Sequence, residues 1–258
     1  MTVDARVDTD PRISRRRKAV ERSRRRRMLV RSIVVISTAF ATWSVLESPL
    51  LSVRAVQLTG ARHTTAAEIS AAAGLGPGVN LLLLSTTEVA SRVQTLPWVK
   101  RAQVERKLPG TVAVRVVERK PAMALSVGAA RWTVDGAGRV LTPGEVGELP
   151  ILAGTEAGAV EEGVRLEAPG LRGALRAFAS MPDGLRARVG AAFAPSAERI
   201  TFSLDGGTLI RYGSAEQLIA KGAVASAVLQ RVAATGAPVA YVDVRVPASP
   251  ATGGALAD

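Results

Sequence analysis

Residues 28–46, MLVRSIVVISTAFATWSVL, form the stretch that most constrains how this chain can fold. As an α-helix, these nineteen residues extend about 28 Å, close to the hydrocarbon thickness of a bilayer. Arg31 lies one turn inside the first end, where its long side chain can reach the headgroups. Trp43 lies near the second end, where an indole suits the interface. The stretch therefore predicts a transmembrane helix over residues 28–48.

A strongly basic tail precedes the apolar stretch. Residues 1–31 hold twelve basic and four acidic side chains, a net charge of +8 out of +12 for the whole chain. We expect residues 1–27 to be disordered and to contact anionic lipid. The positive-inside rule places this tail in the cytoplasm and residues 50–258 outside. The residues that set this topology are Arg24, Arg25, Arg26, Arg27, Arg31 and Trp43.

Two other interpretations of the N-terminal region are weaker. A signal peptide would also begin with basic residues, and Ala39-Phe40-Ala41 resembles a cleavage site, but the apolar run before it is short and hydrophobicity resumes after it. A basic tail could bind nucleic acid, but charge alone predicts no specific nucleic-acid role. We retain the transmembrane interpretation.

Composition limits the chemistry available to the outer region. The chain has no Cys and one His, His63, which excludes disulfides, Cys-ligated metals and multi-His metal sites. Aromatic residues make up only 3% of the chain, so its core must be built from Val, Leu and Ala. His63 is expected to be a solvated loop residue, and Glu161-Glu162 lie in a loop of low complexity. No enzymatic activity and no cofactor are predicted, because nothing assembles the roles of an active site.

Residues 50–121 predict a small domain with the order β-α-α-β-β. A strand at 52–60 ends at Gly60, and capping boxes at Thr65/Glu68 and Ser85/Glu88 begin two helices. Pro97 stops the second helix, and two strands, 98–107 and 111–118, follow. Their valines are expected to point inward and most of their charges to pair across the strands in water.

Residues 122–247 predict a second, mostly β domain, and residues 248–258 a disordered tail. The predicted strands and helices, in chain order, are a hairpin at 131–144, a strand at 149–154, a helix at 171–181, strands at 186–193, 199–204 and 208–212, a helix at 214–235 capped by Ser214 and Gln217, and a strand at 240–246.

The first domain resembles a POTRA domain. With the basic tail, the apolar stretch, LPWVKRAQVERKLPGTVAVRVVERKPAMAL (96–125) and AYVDVRVP (240–247), the whole chain resembles the FtsQ/DivIB family of bacterial cell-division proteins. The resemblance implies an α+β protein: one N-terminal transmembrane helix, a POTRA-like domain, then a mixed β-sheet domain with flanking helices. The residues expected to shape the POTRA-like domain are Gly60, Pro97, Trp98, Pro109, Glu118 and Pro121.

The resemblance also implies a function. Family members are non-enzymatic scaffolds at the division septum, and their last strand and preceding helix bind FtsB/DivIC-like and FtsL-like proteins. An exposed sheet edge would accept a partner strand. Another POTRA-containing envelope protein or a cell-wall-binding module is the alternative. The residues expected to bind the partner are Tyr241, Val242, Asp243, Val244, Arg245, Val246 and, on the helix, Lys221.

Overall fold

A computed structural model describes residues 27–40, 43–44, 51–236 and 238–254. Residues 27–40 form helix α1 with exposed side chains, and 43–44 are also helical. Ser37 Oγ and Thr38 Oγ1 donate hydrogen bonds to the carbonyl oxygens of Ile33 and Val34, each at 2.7 Å, so both hydroxyls are satisfied within the helix. The remainder of the predicted transmembrane helix and the tail through Arg26 lie outside the described residues.

Judged by length and composition alone, one helix in the described part of the chain could cross a membrane. It is α6, Leu218–Thr235, not the N-terminal segment. Ala225 and Leu229 of α6 are buried in the core of the second domain. Because α6 packs there against helix α4, Pro169–Ser180, and against strand β11, Tyr241–Asp243, we treat it as a helix of the folded domain.

The POTRA-like domain has the predicted β-α-α-β-β order, and its three strands form a sheet in the order β1-β3-β2. The five elements are β1 (Ala55–Thr59), α2 (Ala66–Ala73), α3 (Thr86–Val93), β2 (Val99–Lys107) and β3 (Thr111–Glu118). Val112, Val114 and Val116 are buried, as predicted.

Local sequence signals explain the helix ends in this domain. Thr65 and Glu68 form a complete capping box, and Gly74 ends α2 in the left-handed conformation. The Ser85 side chain caps α3, but the Glu88 side chain pairs with Arg92 rather than completing a second box. As a result only the first of the two predicted capping boxes is complete.

The second domain is built on a nine-stranded mixed sheet in the order β12-β11-β10-β9-β8-β7-β4-β5-β6. Helix α4 packs on β8 and β9 and on α6. Phe202 and Tyr212 meet edge to face beneath these helices, with ring centroids 5.2 Å apart. The remaining strands are β4 (Pro121–Val127), β5 (Ala130–Asp135), β6 (Val140–Pro143), β7 (Ile151–Ala153), β8 (Val189–Ser196), β9 (Arg199–Leu204), β10 (Leu209–Gly213) and β12 (Ala251–Gly253). The remaining helix is α5 (Asp183–Arg186).

Three differences from the sequence-based expectation affect this domain. Strand β12 lies within residues 248–258, which were expected to be disordered. Strand β4 and the short helix α5 were not predicted. The expected Ser214/Gln217 capping box is absent, because Gln217 has φ 49° and its side chain makes no cap hydrogen bond, so α6 begins only at Leu218.

The chain divides into two compact units. The described part of the smaller unit comprises residues 27–40, 43–44, 51–55, 76–84 and 106–112. The larger unit holds the rest of the POTRA-like domain and the whole nine-stranded sheet.

Candidate partner-binding site

Strand β11 carries the residues that were expected to offer an open edge, but both of its edges are occupied. It pairs in parallel with β10, with Tyr241 opposite Leu209, and antiparallel with β12, with Tyr241 opposite Gly253. Within the described residues, β12 is therefore the terminal strand at this end of the sheet. Ala251 and Thr252 of β12 are exposed.

Strand β11 is shorter than the strand predicted at 240–246, and the side chains from Tyr241 to Val244 alternate between the surface and the core. Val242 and Val244 are fully buried in the domain core. The Val244 N–H donates to the Arg211 carbonyl oxygen at 3.0 Å, and the Arg211 guanidinium lies 3.9 Å from the centroid of the Tyr241 ring. Val242 and Val244 therefore hold the strand in place and are not available to a partner.

Asp243 and Arg245 form a local ion pair at the end of the strand. The guanidinium donates Nε and Nη2 hydrogen bonds to Asp243 Oδ2 at 2.9 and 2.7 Å. Hydrogen bonding from Arg245 holds the pKa of Asp243 below its ordinary value. Arg245 is largely exposed, and Val246 is 60% exposed, so these two side chains are accessible to a partner.

Lys221, which was expected to contact a partner, is buried in this structure. Lys221 is 2% exposed, and its Nζ donates hydrogen bonds to the carbonyl oxygens of Tyr212 at 2.9 Å and Ser214 at 2.8 Å. The ammonium thus ties the start of α6 to the end of β10. Ile219, a large apolar residue on the same helix, is 81% exposed.

Gly253 sets how closely β12 approaches β11. A Cβ at this position would lie 2.1 Å from Cε1 of Tyr241, whereas a Cβ on the neighbouring Gly254 would meet nothing within 4 Å. The Ala240 N–H donates to the Gly253 carbonyl oxygen at 2.9 Å. The ring of Tyr241 therefore packs directly over Gly253, and a side chain at this position would have to displace the ring.

A second polar cluster, around Glu118, lies in the POTRA-like domain. The Glu118 carboxylate accepts hydrogen bonds from the backbone N–H groups of Arg62, His63 and Thr64, and contacts His63 Nδ1 at 2.9 Å. Burial alone would raise the pKa of Glu118, but these hydrogen bonds outweigh it and the pKa is lowered. Within the described residues, no group of three or more His, Cys, Asp or Glu could hold a metal ion.

His63 is an exposed loop residue, as expected, but it also has defined contacts within this cluster. Its imidazole stacks on Trp98 with centroids 3.9 Å apart and planes 9° from parallel. Trp98 is buried, with 8% of its surface exposed. Since Glu118 binds backbone groups and His63 is stacked, the cluster fixes the loop after Gly60.

The other residues expected to shape this domain occupy turns and strand ends. Gly60 has φ 84°, and a Cβ there would lie 2.2 Å from the Val116 carbonyl oxygen. Pro97 follows α3, Pro121 begins β4, and the Leu108–Pro109 peptide bond is cis. Beside Glu118, Arg119 pairs with Asp135 at 2.9 Å.

Comparison with known proteins identifies the first domain. The family described as "POTRA domain, FtsQ-type" matches residues 51–119. These bounds include β1 through β3 and the Glu118 cluster.

Several proteins named "Cell division protein FtsQ" are similar to this chain. The one from Corynebacterium glutamicum is 27% identical over 206 residues, 79% of this chain and 90% of that protein. The one from Mycolicibacterium smegmatis is 30% identical over 73% of this chain and 55% of its own length. The one from Anaeromyxobacter sp. is 36% identical over 50% of this chain and 45% of its own length.

The chain thus covers most of the first relative but only about half of the other two. Residues 51–119 are therefore an FtsQ-type POTRA domain, and the chain is similar over most of its length to proteins named as FtsQ cell-division proteins.

Proposed function

We propose that this protein is a non-enzymatic scaffold of the bacterial division machinery. It spans the cell membrane once through residues 28–48, with its basic tail in the cytoplasm against anionic lipid and residues 50–258 outside, at the septum. The relatives named as cell-division proteins support the cellular role. The basic tail and the apolar segment support the topology.

The scaffold binds its partners by strand addition at the end of the nine-stranded sheet. The observation that carries this proposal is the position of β12, outside β11, as the terminal strand. A terminal strand presents backbone N–H and C=O groups that a partner strand can satisfy. The partners are FtsB/DivIC-like and FtsL-like proteins, and neither a small-molecule substrate nor a cofactor is required.

The residues of β11 contribute to this surface in two ways. Val242 and Val244 anchor the strand in the core, while Tyr241 packs against Gly253 and so positions β12. Arg245 and Val246 offer a charge and an apolar side chain to the partner. On α6, the exposed Ile219 contacts the partner, instead of the buried Lys221 that the sequence predicted for this role.

Depletion of the protein in its host tests the cellular role. We expect cells that elongate without completing septa. Normal septa after depletion would contradict the proposal, and binding or cleavage of peptidoglycan by the purified protein alone would favour a wall-binding or enzymatic function.

Cysteine labelling tests the topology, because the chain has no Cys of its own. We expect an impermeant maleimide to label Glu198→Cys in intact cells, since Glu198 is exposed and belongs to the outer region. Thr2→Cys, in the tail, should react only after the membrane is permeabilised. Labelling of Thr2→Cys in intact cells would contradict the orientation.

A further inference from the structure

Three leucines of the smaller unit are exposed to an unusual degree. Leu83 is 74% exposed, Leu108 63% and Leu82 40%. Leu82 and Leu83 lie in the turn after Asn80, and Leu108 lies at the tip of the β2–β3 hairpin. The Asn80 side chain accepts the Leu82 N–H at 2.8 Å, so the turn that presents the two leucines is ordered.

Backbone hydrogen bonds join both segments to the start of the outer region. The Leu81 N–H donates to the Leu51 carbonyl oxygen at 2.7 Å, and the Arg54 N–H donates to the Gly110 carbonyl oxygen at 2.8 Å. Arg106 Nη1 donates to the Leu82 carbonyl oxygen at 2.9 Å. The exposed leucines are therefore fixed beside residues 51–54.

The charged residues in the described part of this unit have one sign. Residues 51–55, 76–84 and 106–112 include Arg54, Arg106 and Lys107 and no Asp or Glu. All three basic residues are exposed. Leucines combined with Lys and Arg are the composition of surfaces that lie in the bilayer interface, where apolar side chains enter the acyl boundary and cations meet anionic headgroups.

The length of the connection keeps this surface near the bilayer. Six residues, 45–50, separate Ser44 from Leu51, and even a fully extended chain would span at most about 25 Å over this distance. Leu51 is in turn bonded to the segment that carries Leu82 and Leu83. A surface tethered this closely meets the headgroups at high effective concentration.

We propose that Leu82, Leu83 and Leu108, with Arg54, Arg106 and Lys107, form a juxtamembrane surface that docks on the outer leaflet of the cell membrane. The leucines enter the headgroup region and the basic side chains contact anionic lipid. This inference rests on the proposed single-pass topology. Docking holds the smaller unit against the membrane instead of leaving it on a free tether.

Fluorescence quenching by nitroxide-labelled lipid tests the docking. Because the chain has no Cys, the full-length protein can carry a single bimane at Leu83→Cys, Val35→Cys or Glu198→Cys, reconstituted in phosphatidylcholine bilayers with or without phosphatidylglycerol. We expect headgroup nitroxides to quench the label at position 83 about twofold more than the label at position 198. Acyl-chain nitroxides should quench the label at position 35.

The outcomes separate the two proposals. Quenching at position 35 but equal quenching at positions 83 and 198 would overturn the docking and leave the topology standing. If quenching is equal at positions 83 and 198, and the label at position 83 becomes protected from solvent only when an FtsB/DivIC-like or FtsL-like protein is added, the leucines contact a protein partner and not lipid. No quenching at position 35 would overturn the topology, and the docking with it.

Charge variation provides a matched test of the lipid contact. Lys107→Ser should lower the ratio of docked to undocked protein about fivefold in bilayers with phosphatidylglycerol, and much less in phosphatidylcholine alone. Lys120→Ser makes the same change at an exposed position outside the surface and should leave the ratio unchanged. Equal effects of the two substitutions would contradict a specific role for the juxtamembrane surface.

Discussion

Gly253 lies opposite Tyr241 in the antiparallel ladder between β12 and β11, and a Cβ at position 253 would lie 2.1 Å from the tyrosine ring. This close approach seats the last described strand on the sheet and makes it the edge at which we place partner binding. Because a side chain at position 253 would have to displace the Tyr241 ring, a substitution there disturbs the contact between β11 and β12 and not the core.

Gly253→Val should release β12 and weaken partner binding. The new side chain would collide with Tyr241, so we expect faster amide hydrogen exchange at residues 251–253 and at least several-fold less co-purified FtsB/DivIC-like protein. Gly254→Val is the matched control, because a Cβ there meets nothing within 4 Å. Increased binding by Gly253→Val would instead mean that β12 covers the true docking edge.

Arg245→Glu should weaken partner binding while leaving the fold intact. The substitution breaks the ion pair with Asp243 and reverses an accessible charge. We expect roughly tenfold weaker binding to the FtsB/DivIC-like partner, with an altered salt dependence, in surface plasmon resonance. Arg231→Glu makes the same charge change at an exposed position on α6. Equal losses in both variants would indicate a general charge effect rather than a local contact.

Lys221→Met should destabilise the protein without acting on the partner directly. Methionine fits the length of the side chain but leaves the Tyr212 and Ser214 carbonyl oxygens without their donor. We expect a loss of about 2 kcal/mol in the free energy of unfolding, measured by urea denaturation of the full-length chain in detergent. Lys120→Met, at an exposed position, should cost less than about 0.5 kcal/mol. A Lys221→Met protein of unchanged stability that fails to bind would restore Lys221 as a partner contact.

Glu118→Gln should reduce stability at neutral pH by about 1 kcal/mol, because it keeps the acceptor oxygen but removes the charge from four hydrogen bonds. The folded-state pKa of Glu118 lies below its ordinary value of 4.5. The stabilisation that the ionised Glu118 carboxylate gives to the folded state is therefore fully present above pH 4.5 and is lost as the pH falls through the folded-state pKa.

Urea denaturation across this range measures the effect. The difference between the wild-type and Glu118→Gln proteins should shrink as the pH falls below 4.5. A difference that stays constant with pH would mean that the carboxylate charge does not stabilise the loop after Gly60.

Gly60→Ala should destabilise the POTRA-like domain by more than about 1 kcal/mol, since Gly60 has φ 84° and a Cβ would lie 2.2 Å from the Val116 carbonyl oxygen. Gly76→Ala is the control, because a Cβ there meets nothing within 4 Å and the backbone needs no positive φ. Thermal unfolding compares the two. Equal melting temperatures for the two variants would contradict the close approach at Gly60.

Features specified by neighbouring residues were predictable from the sequence. Thr65 and Glu68 are three residues apart, and the capping box they predict is present. The alternating valines of β3 predicted its buried face. In each case the physical cause, a helix cap or the period of a strand, acts within a few residues.

Features that depend on distant residues were missed. Glu118 and His63 are 55 residues apart, and nothing near either residue indicates their contact. Lys221 looked like a surface residue because its acceptors come from the end of β10 and the loop after it. The short segment at 251–253 has no strand pattern of its own, and it becomes a strand only because Tyr241 and Asp243 offer it an edge.

The most direct test of the central claim is co-purification from membranes with the full-length chain and with a chain that ends at Ser249. This truncation removes β12 and leaves the buried Val242 and Val244 in place. We expect the intact chain to retain FtsB/DivIC-like and FtsL-like proteins, and the truncated chain, still folded by circular dichroism, to lose them. Equal retention by both chains would contradict partner binding at this edge of the sheet.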